Sequence, residues 1–221
     1  LLVNMFEDWA GEPSRSFVAL PPSGSYREYF RISGLTRSAI GVFNTDFKEN
    51  SAFLTFSRNF KDAGLNVPEI YGADVENHVY LQQDLGDITL YAFLQGIRKG
   101  NDFPQELVLF YKKSLEALVD FQIKGRDVVD FNTCYPRAAF DRQSMLWDLH
   151  YFKYYFLKLA RVAFDEQLLE DDYNRLIEYL LQAPHDYFLY RDFQSRNIMV
   201  CDGTPWFVDY QGGRRGALQY D

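Results

Sequence analysis

Only two cysteines, Cys134 and Cys201, occur in the 221 residues, and they share no C-x-x-C spacing. Neither a thiolate zinc site nor a disulfide framework is indicated, and a reducing, cytoplasmic setting is the natural expectation. Long apolar runs are missing too. Nothing approaches the roughly 18 residues of a membrane span, and the opening LLVNMFEDWAGEP has no signal-peptide anatomy. Basic residues are outnumbered, 23 Lys and Arg against 31 Asp and Glu, for a net charge of −8. That balance argues against a nucleic-acid groove and against an anionic membrane surface. Internal repeats and low-complexity segments are absent. The chain does not begin with Met and stops at GALQYD without a terminal helix or polar tail, which leads us to expect a fragment of a longer polypeptide.

What is abundant is apolar and aromatic: 47% of the residues are hydrophobic and 18% aromatic, enough for one large domain or two small lobes. REYFRIS and SAIGVFN read as strands separated by the turn-prone GLTR. Asn50 is expected to cap a helix carrying Phe53, Leu54, Phe56 and Phe60 and ending at Gly64. VPEIYGADV and HVYLQQDLG then read as extended segments. After Gly86 the period changes from two to 3.6: ITLYAFLQGIRK is a short amphipathic helix. A longer one opens at Pro104 and aligns Leu107, Phe110, Ser114, Leu118 and Phe121 on one face. Helical patterns follow near 141–160 and 165–182, and short strands return in YFLY, NIMV and WFVD. The expected architecture is α+β, with a β-rich N-lobe over residues 1–85, a hinge near 82–86, and a helical C-lobe over 86–221 that carries a late β-hairpin and is incomplete at its C-terminal end.

LYRDFQSRNIMV is polar between apolar flanks. Asp192 sits where a strand gives way to a loop, and Asn197 follows five residues later as the chain re-enters an apolar run. The turn CDGTP folds WFVD back, which returns Asp209 to the same end of the hairpin as Asn197. Each residue alone reads as an ordinary turn or strand-end polar. Together they place three oxygen-bearing side chains at one mouth. An amide oxygen and a carboxylate are hard ligands suited to Mg²⁺, and a separate carboxylate can accept a proton from a substrate hydroxyl. This spacing matches the catalytic-loop and metal-aspartate parts of the kinase template.

On these residues, YRDFQSRN…VDYQGG resembles the catalytic loop and metal-binding segment of the kinase-like aminoglycoside phosphotransferase superfamily. The histidine usual two positions before the aspartate is here Tyr190. DYQGGRRGALQYD, through Asp209, Gln211, Arg215, Gly216, Tyr220 and Asp221, is similar to the corresponding stretch of bacterial cell-wall-recycling sugar kinases. Those enzymes phosphorylate the anomeric hydroxyl of N-acetylmuramate or N-acetylglucosamine. SGSYREYFRI is similar to that group's nucleotide loop, and LQQDLGDITL to its hinge, so the resemblance runs from about Ser23 to Asp221. It implies a protein-kinase-like two-lobe fold and an ATP- and Mg²⁺-dependent transfer to a small-molecule amino sugar. Asp192 is then the catalytic base, and Asn197 and Asp209 the metal ligands.

The nucleotide is expected at Ser23, Gly24 and Ser25, whose backbone N–H groups can cradle phosphates, with an ordinary hairpin turn as the rival reading. It is also expected at the backbone groups of Gln83 and Leu85. The strand SAIGVFNTDF has no internal lysine, and Lys48 lies beyond it. Arg31 is therefore the first candidate for the phosphate-binding cation and Arg27 the second. Glu49 is a candidate for orienting that cation but reads first as an acid complementing the dipole at a helix start. Arg196 and Arg215 are candidates for neutralising phosphoryl charge or holding the loop, Arg215 by pairing with an acid such as Asp221. Gln211 is a candidate for facing the acceptor, and Asp148 for binding sugar hydroxyls. The aromatic stretch FDRQSMLWDLHYFKYYFLK reads first as a core helix. An aminoglycoside- or choline-type kinase would share the same catalytic residues, and a catalytically silent nucleotide-binding scaffold would share the fold.

Overall fold

A computed structural model describes residues 1–22, 26–100 and 102–221. Its first half is organised by strands whose alternate residues serve two different cores. β1 (Ser16–Ala19), β2 (Glu28–Ser33), β3 (Ser38–Phe43), β4 (Ile70–Asp74) and β5 (Val79–Gln83) form an antiparallel sheet in the order β1-β2-β3-β5-β4. On one face Ala39, Val79 and Leu81 join Ile32 against Leu2 and Phe6 of α1 (Leu2–Ala10). On the other, Ile40, Val42 and Tyr80 face Phe53, Leu54 and Phe56 of α2 (Phe47–Asp62). The period-two pattern thus buries β3 on both sides. Gly41 is needed where Leu2 comes close, since a Cβ there would stand 2.9 Å from Leu2 Cδ2.

The second core continues without a break into the rest of the chain. α3 (Leu90–Ile97) begins at Thr89, whose hydroxyl accepts from the Ala92 N–H. α4 (Gln105–Val128) starts after Pro104 and buries Leu107, Phe110, Ser114, Leu118 and Phe121, the face expected from its spacing. Phe60 of α2 packs edge-on against Phe121 and Phe188, with ring centroids 5.1 Å apart in both pairs. α5 (Arg142–Phe152) runs into a wider turn at Lys153–Leu157, and α6 (Glu166–Leu180) follows. β6 (Tyr187–Leu189), β7 (Ile198–Cys201), β8 (Thr204–Phe207) and β9 (Arg214–Gly216) complete the chain as two antiparallel pairs, β6 with β9 and β7 with β8. The β7–β8 turn places Asp202 and Gly203 at φ 49° and 69°, the two positive angles that a tight two-residue hairpin demands.

Several expectations needed correction. The α2 cap is Asp46, not Asn50: the Asp46 carboxylate accepts from the Glu49 N–H at 3.0 Å, while Asn50 is buried and donates to the Asn44 carbonyl. LLVNMFEDWA, unassigned above, is α1, and β1 and β9 were equally unforeseen. The aromatic α5 stretch is not a core helix: Trp147, Tyr151, Phe152, Tyr154, Tyr155 and Phe156 are all exposed, and its buried members are Phe140, before the helix, and Ser144 and Lys153. Those aromatics spread over about half of the helix circumference at 100° per residue, wider than one buried stripe.

Candidate active site

The loop between β6 and β7 carries Asp192 and Asn197, and Asp209 follows β8. Asn197 ties them together. Its side-chain Nδ2 donates to the Asp192 carbonyl at 3.0 Å and to Asp209 Oδ2 at 3.1 Å. Its carbonyl accepts from the Val208 N–H at 3.0 Å. The hairpin therefore brings the three residues to one end, as their spacing implied. Burial holds the Asp192 carboxyl above its ordinary range; the charge of Asp209 adds to the shift, and Arg191 and Arg214 oppose it. Two carboxylates facing one region with this mutual cost suit a bound cation.

Backbone strain marks the same place. Arg191 and Asp209 have φ of 77° and 66°, a region that costs a side-chain-bearing residue about 1–3 kcal/mol and persists only where its surroundings enforce it. The enforcing bonds are visible. Asp221 accepts from the Tyr190 N–H at 2.9 Å, the Arg191 N–H at 2.7 Å and Gln122 Nε2 at 3.2 Å. The Tyr190 hydroxyl donates to the Val208 carbonyl at 2.7 Å. Tyr190 thus links the segment of Asp192 to the segment of Asp209. Gly212 leaves room beside the carboxylate, because a Cβ there would lie 3.1 Å from Asp192 Oδ2.

Above these residues, between the sheet and the hairpin, lies a cavity of about 750 Å³ lined by Arg27, Tyr29, Phe53, Tyr80, Gln82, Gln194, Arg196, Asn197, Val208 and Asp209, with Pro22 at its edge. Arg27, buried just before β2, pairs with Glu49 Oε1 at 2.9 Å and stands 3.7 Å from Asp209 Oδ1. Glu49 is therefore more than a helix-start acid: it fixes an arginine in the cavity wall. Arg31 lies elsewhere. Its guanidinium is held by Asp84, at 2.8 and 3.0 Å, and by Asp87, and those hydrogen bonds raise its pKa. Asp84 also accepts from the Gly86 N–H, so this cluster braces the turn after β5.

The remaining expected site residues divide. The Gln83 N–H donates to the Glu69 carbonyl at 2.8 Å, which removes it as a donor to a base; Leu85 is buried. Ser23, Gly24 and Ser25 lie outside the described residues. Gln211 is buried, and its Nε2 donates to Asp209 Oδ1 at 2.6 Å, so it serves Asp209 rather than an open acceptor surface. Arg196 is exposed on the cavity rim with its guanidinium 3.9 Å from the centre of the Tyr91 ring. Arg215 does not pair with Asp221; it stacks over Phe131 at 4.8 Å. Asp148 accepts from Arg191 and from the Tyr220 hydroxyl, each at 3.3 Å, and is not among the residues lining the cavity. Arg27's commitment to Glu49, the Tyr190 bond and the backbone anchoring by Asp221 were missed or underweighted. For Tyr190 and Asp221 the signal was position near the motif; for Glu49 it was only its place at the start of α2.

Among the described residues no group of three His, Cys, Asp or Glu side chains could hold a metal ion. Asn197 and Asp209 nonetheless offer hard oxygen donors, and this sparse set fits Mg²⁺, which takes one or two protein ligands and fills its shell with water and phosphate. Among the same residues, no helix is long and apolar enough to cross a membrane.

No family model matches the chain. It is 27% identical over 219 residues to an N-acetylmuramate/N-acetylglucosamine kinase of Pseudomonas aeruginosa, covering 97% of this chain and 60% of that protein. A protein of the same name from Neisseria meningitidis serogroup B is 29% identical over 218 residues, covering 95% and 61%. The chain thus spans about 60% of the length of these curated relatives. Among solved structures, a ternary complex of the aminoglycoside phosphotransferase APH(2")-IIa with streptomycin and ATP superposes with a TM-score of 0.66 at 11% identity, covering 100% of this chain and 74% of that one. A choline kinase from Streptococcus pneumoniae superposes with a TM-score of 0.63 at 13% identity, covering 99% and 70%. In sequence the chain is similar to the N-acetylmuramate/N-acetylglucosamine kinases, and its two-lobe α+β fold is the kinase-like fold of the aminoglycoside phosphotransferases and choline kinase.

Proposed function

We propose that this chain carries the nucleotide cavity and catalytic loop of a small-molecule kinase, which transfers the γ-phosphoryl group of ATP to a hydroxyl of an amino sugar of the N-acetylmuramate or N-acetylglucosamine type. The nucleotide lies between an N-lobe of residues 1–85 and a C-lobe of 86–221. The observation that carries this reading is the Asn197 amide, which joins the Asp192 carbonyl and the Asp209 carboxylate at the floor of that cavity. The relatives' names support the acceptor class.

In this mechanism Asp192 orients the acceptor hydroxyl and takes its proton as the oxygen bonds to the γ-phosphorus and the bond to the β-phosphate oxygen breaks, releasing ADP. Burial, the main cause of its raised pKa, leaves it a better base than an ordinary aspartate. Asn197 and Asp209 would hold Mg²⁺, which supplies neutralisation of the phosphate charge when bound. Gln211 fixes the Asp209 carboxylate through its 2.6 Å bond, and Tyr190 and Asp221 fix the loop. Setting Asp192 correctly costs no reorganisation at the moment of reaction, because the strained φ angles at Arg191 and Asp209 are already enforced.

ATP turnover by the purified protein against N-acetylmuramate, N-acetylglucosamine, a kanamycin-type aminoglycoside and choline tests the proposal. Turnover with the two amino sugars, abolished in Asp192→Asn, is expected. Turnover confined to the aminoglycoside or choline would overturn the acceptor, and activity surviving in Asp192→Asn would overturn the mechanism.

A further inference from the structure

We infer that the cation gripping the nucleotide's phosphates is Arg27, carried at the edge of β2, and that Asn44 aims it by holding Glu49. This rests on the kinase reading above and assigns two residues to it.

β3 offers no alternative. Ala39, Ile40, Gly41 and Val42 are buried between the two cores, so a lysine midway along that strand would have to lie in apolar packing. Arg31 is fastened to Asp84 and Asp87 at the turn after β5. Arg27 remains in the right place. Its side chain is only 3% exposed, and it lines the same cavity as Asn197 and Asp209. Its guanidinium contacts Glu49 on α2 and stands 3.7 Å from Asp209. A planar fork with five donors can keep a carboxylate on one edge while presenting another edge to phosphate oxygens. Positive charge at this wall also offsets the two aspartates below it.

The aim of that fork depends on Glu49, and Glu49 is held on its other oxygen. Asn44 Nδ2 donates to Glu49 Oε2 at 2.9 Å. Asn44 is itself immobilised: its Oδ1 accepts from the Asp46 N–H at 3.1 Å, its carbonyl from Asn50 Nδ2 at 2.6 Å, and its N–H donates to the His78 carbonyl at 3.0 Å. It is 4% exposed. A continuous series of bonds therefore runs from the turn between β3 and α2, through the carboxylate, to the guanidinium in the cavity. Asn44 touches no nucleotide in this arrangement and is a positioning residue; Arg27 is the phosphate contact.

Calorimetric titration of the purified protein with Mg²⁺ and a non-hydrolysable ATP analogue tests the Arg27 assignment without relying on turnover, and steady-state kinetics test the role of Asn44. Arg27→Met is expected to weaken binding roughly ten- to a hundredfold, the range for losing a charge-assisted contact. Arg27→Lys keeps the charge without the fork and is expected to weaken it about threefold or more. It serves as the decisive variant should Arg27→Met fail to fold. Asn44→Ala is expected to raise KM for ATP several-fold while KM for the acceptor stays put, a split that general loosening of the fold would not produce. Asn44→Asp, nearly the same shape, sets a second carboxylate against Glu49 and should do the same. Lys48→Met, on the exposed side of α2 beside Glu49, is expected to bind as the wild type does. Folded Arg27 variants that bind as tightly as wild type would overturn the Arg27 assignment. Equal rises in both KM values for the Asn44 variants would overturn the positioning role. No binding by the wild-type protein would instead refute the proposed function on which both rest.

Discussion

Removing a single oxygen from Tyr190 tests how the catalytic loop is held. Tyr190 is fully buried, and its hydroxyl donates to the Val208 carbonyl at 2.7 Å. Tyr190→Phe leaves the ring and its edge-on contacts with Phe121 and Phe193 in place, so no cavity opens. What is lost is one part-buried hydrogen bond, which leaves the Val208 carbonyl without that donor. A buried group losing its partner costs about 1–3 kcal/mol. A carbonyl, with its second lone pair, sits at the lower end, so about 1–1.5 kcal/mol is expected. For a chain of this length that lowers Tm by roughly 2–6 °C. The functional effect should exceed the stability effect, because this bond joins the residue two before Asp192 to the residue just before Asp209. Letting the two carboxylates drift by a fraction of an ångström should lower kcat roughly tenfold or more, measured well below the transition. Differential scanning calorimetry and steady-state turnover read the two quantities separately. An unchanged Tm would refute the hydrogen bond's worth, and a lowered Tm with unchanged kcat would refute its role in setting the site.

Two further outcomes follow from packing and charge. Gly125→Ala in α4 should destabilise the protein although alanine favours a helix by about 1 kcal/mol. Its Cβ would stand 2.8 Å from Phe188 Cβ, an overpacking that costs about 1–3 kcal/mol; a higher urea midpoint would contradict that close approach. Lys153, nearly buried, bonds Glu166 at 2.6 Å and Glu170 at 2.7 Å and holds both carboxyls below their ordinary range. Depressed folded values mean this stabilisation is present above the usual glutamate pKa of about 4.3 and is lost as pH falls through the lower folded values. The fall in Tm between about pH 6 and pH 3 should therefore be smaller in Lys153→Met than in wild type, and an equal fall would contradict the assignment.

The parts of the fold that the sequence revealed are those where one physical signal acts alone. The apolar face of α4 is set by 3.6-residue spacing, and Leu107, Phe110, Ser114, Leu118 and Phe121 are all buried as that spacing requires. The β7–β8 hairpin is set by Asp202-Gly203, a pair suited to two positive φ angles. The failures arise where signals compete or depend on distant partners. Asp46 and Asn50 are both good caps, and only the fold shows that Asn50 turns inward to the Asn44 carbonyl. α1 reads as an unpatterned start because its buried face is just Leu2 and Phe6, two residues whose partners on β2, β3 and β5 lie far along the chain. β9 is three residues long, Arg214–Gly216, and is defined only by pairing with β6.

The site divides along the same line, and the division explains why the motif was easier to read than its supports. Asp192, Asn197 and Asp209 were legible because their convergence needs only one hairpin, whose register follows from local chemistry. From sequence Arg27 is only the second candidate behind Arg31, its link to Glu49 is not the preferred reading and Asn44 is not singled out, because their meeting depends on where α2 lies against the sheet. That placement comes from Phe53, Leu54, Phe56 and Phe60 packing into a core shared with Tyr80, Phe188 and Tyr210, and apolar packing carries no directional label in a sequence. The same core also ties α2 to the catalytic segment, through the 2.6 Å bond between the Ser57 and Tyr210 hydroxyls and the stacking of Phe53 on Tyr210. The upper and lower walls of the cavity are therefore set against each other by buried contacts directly behind it. A substitution that shifts α2 will move Glu49 and Arg27 together with the Asp209 segment, so cavity-creating changes such as Phe56→Ala should impair ATP binding even though Phe56 does not line the cavity.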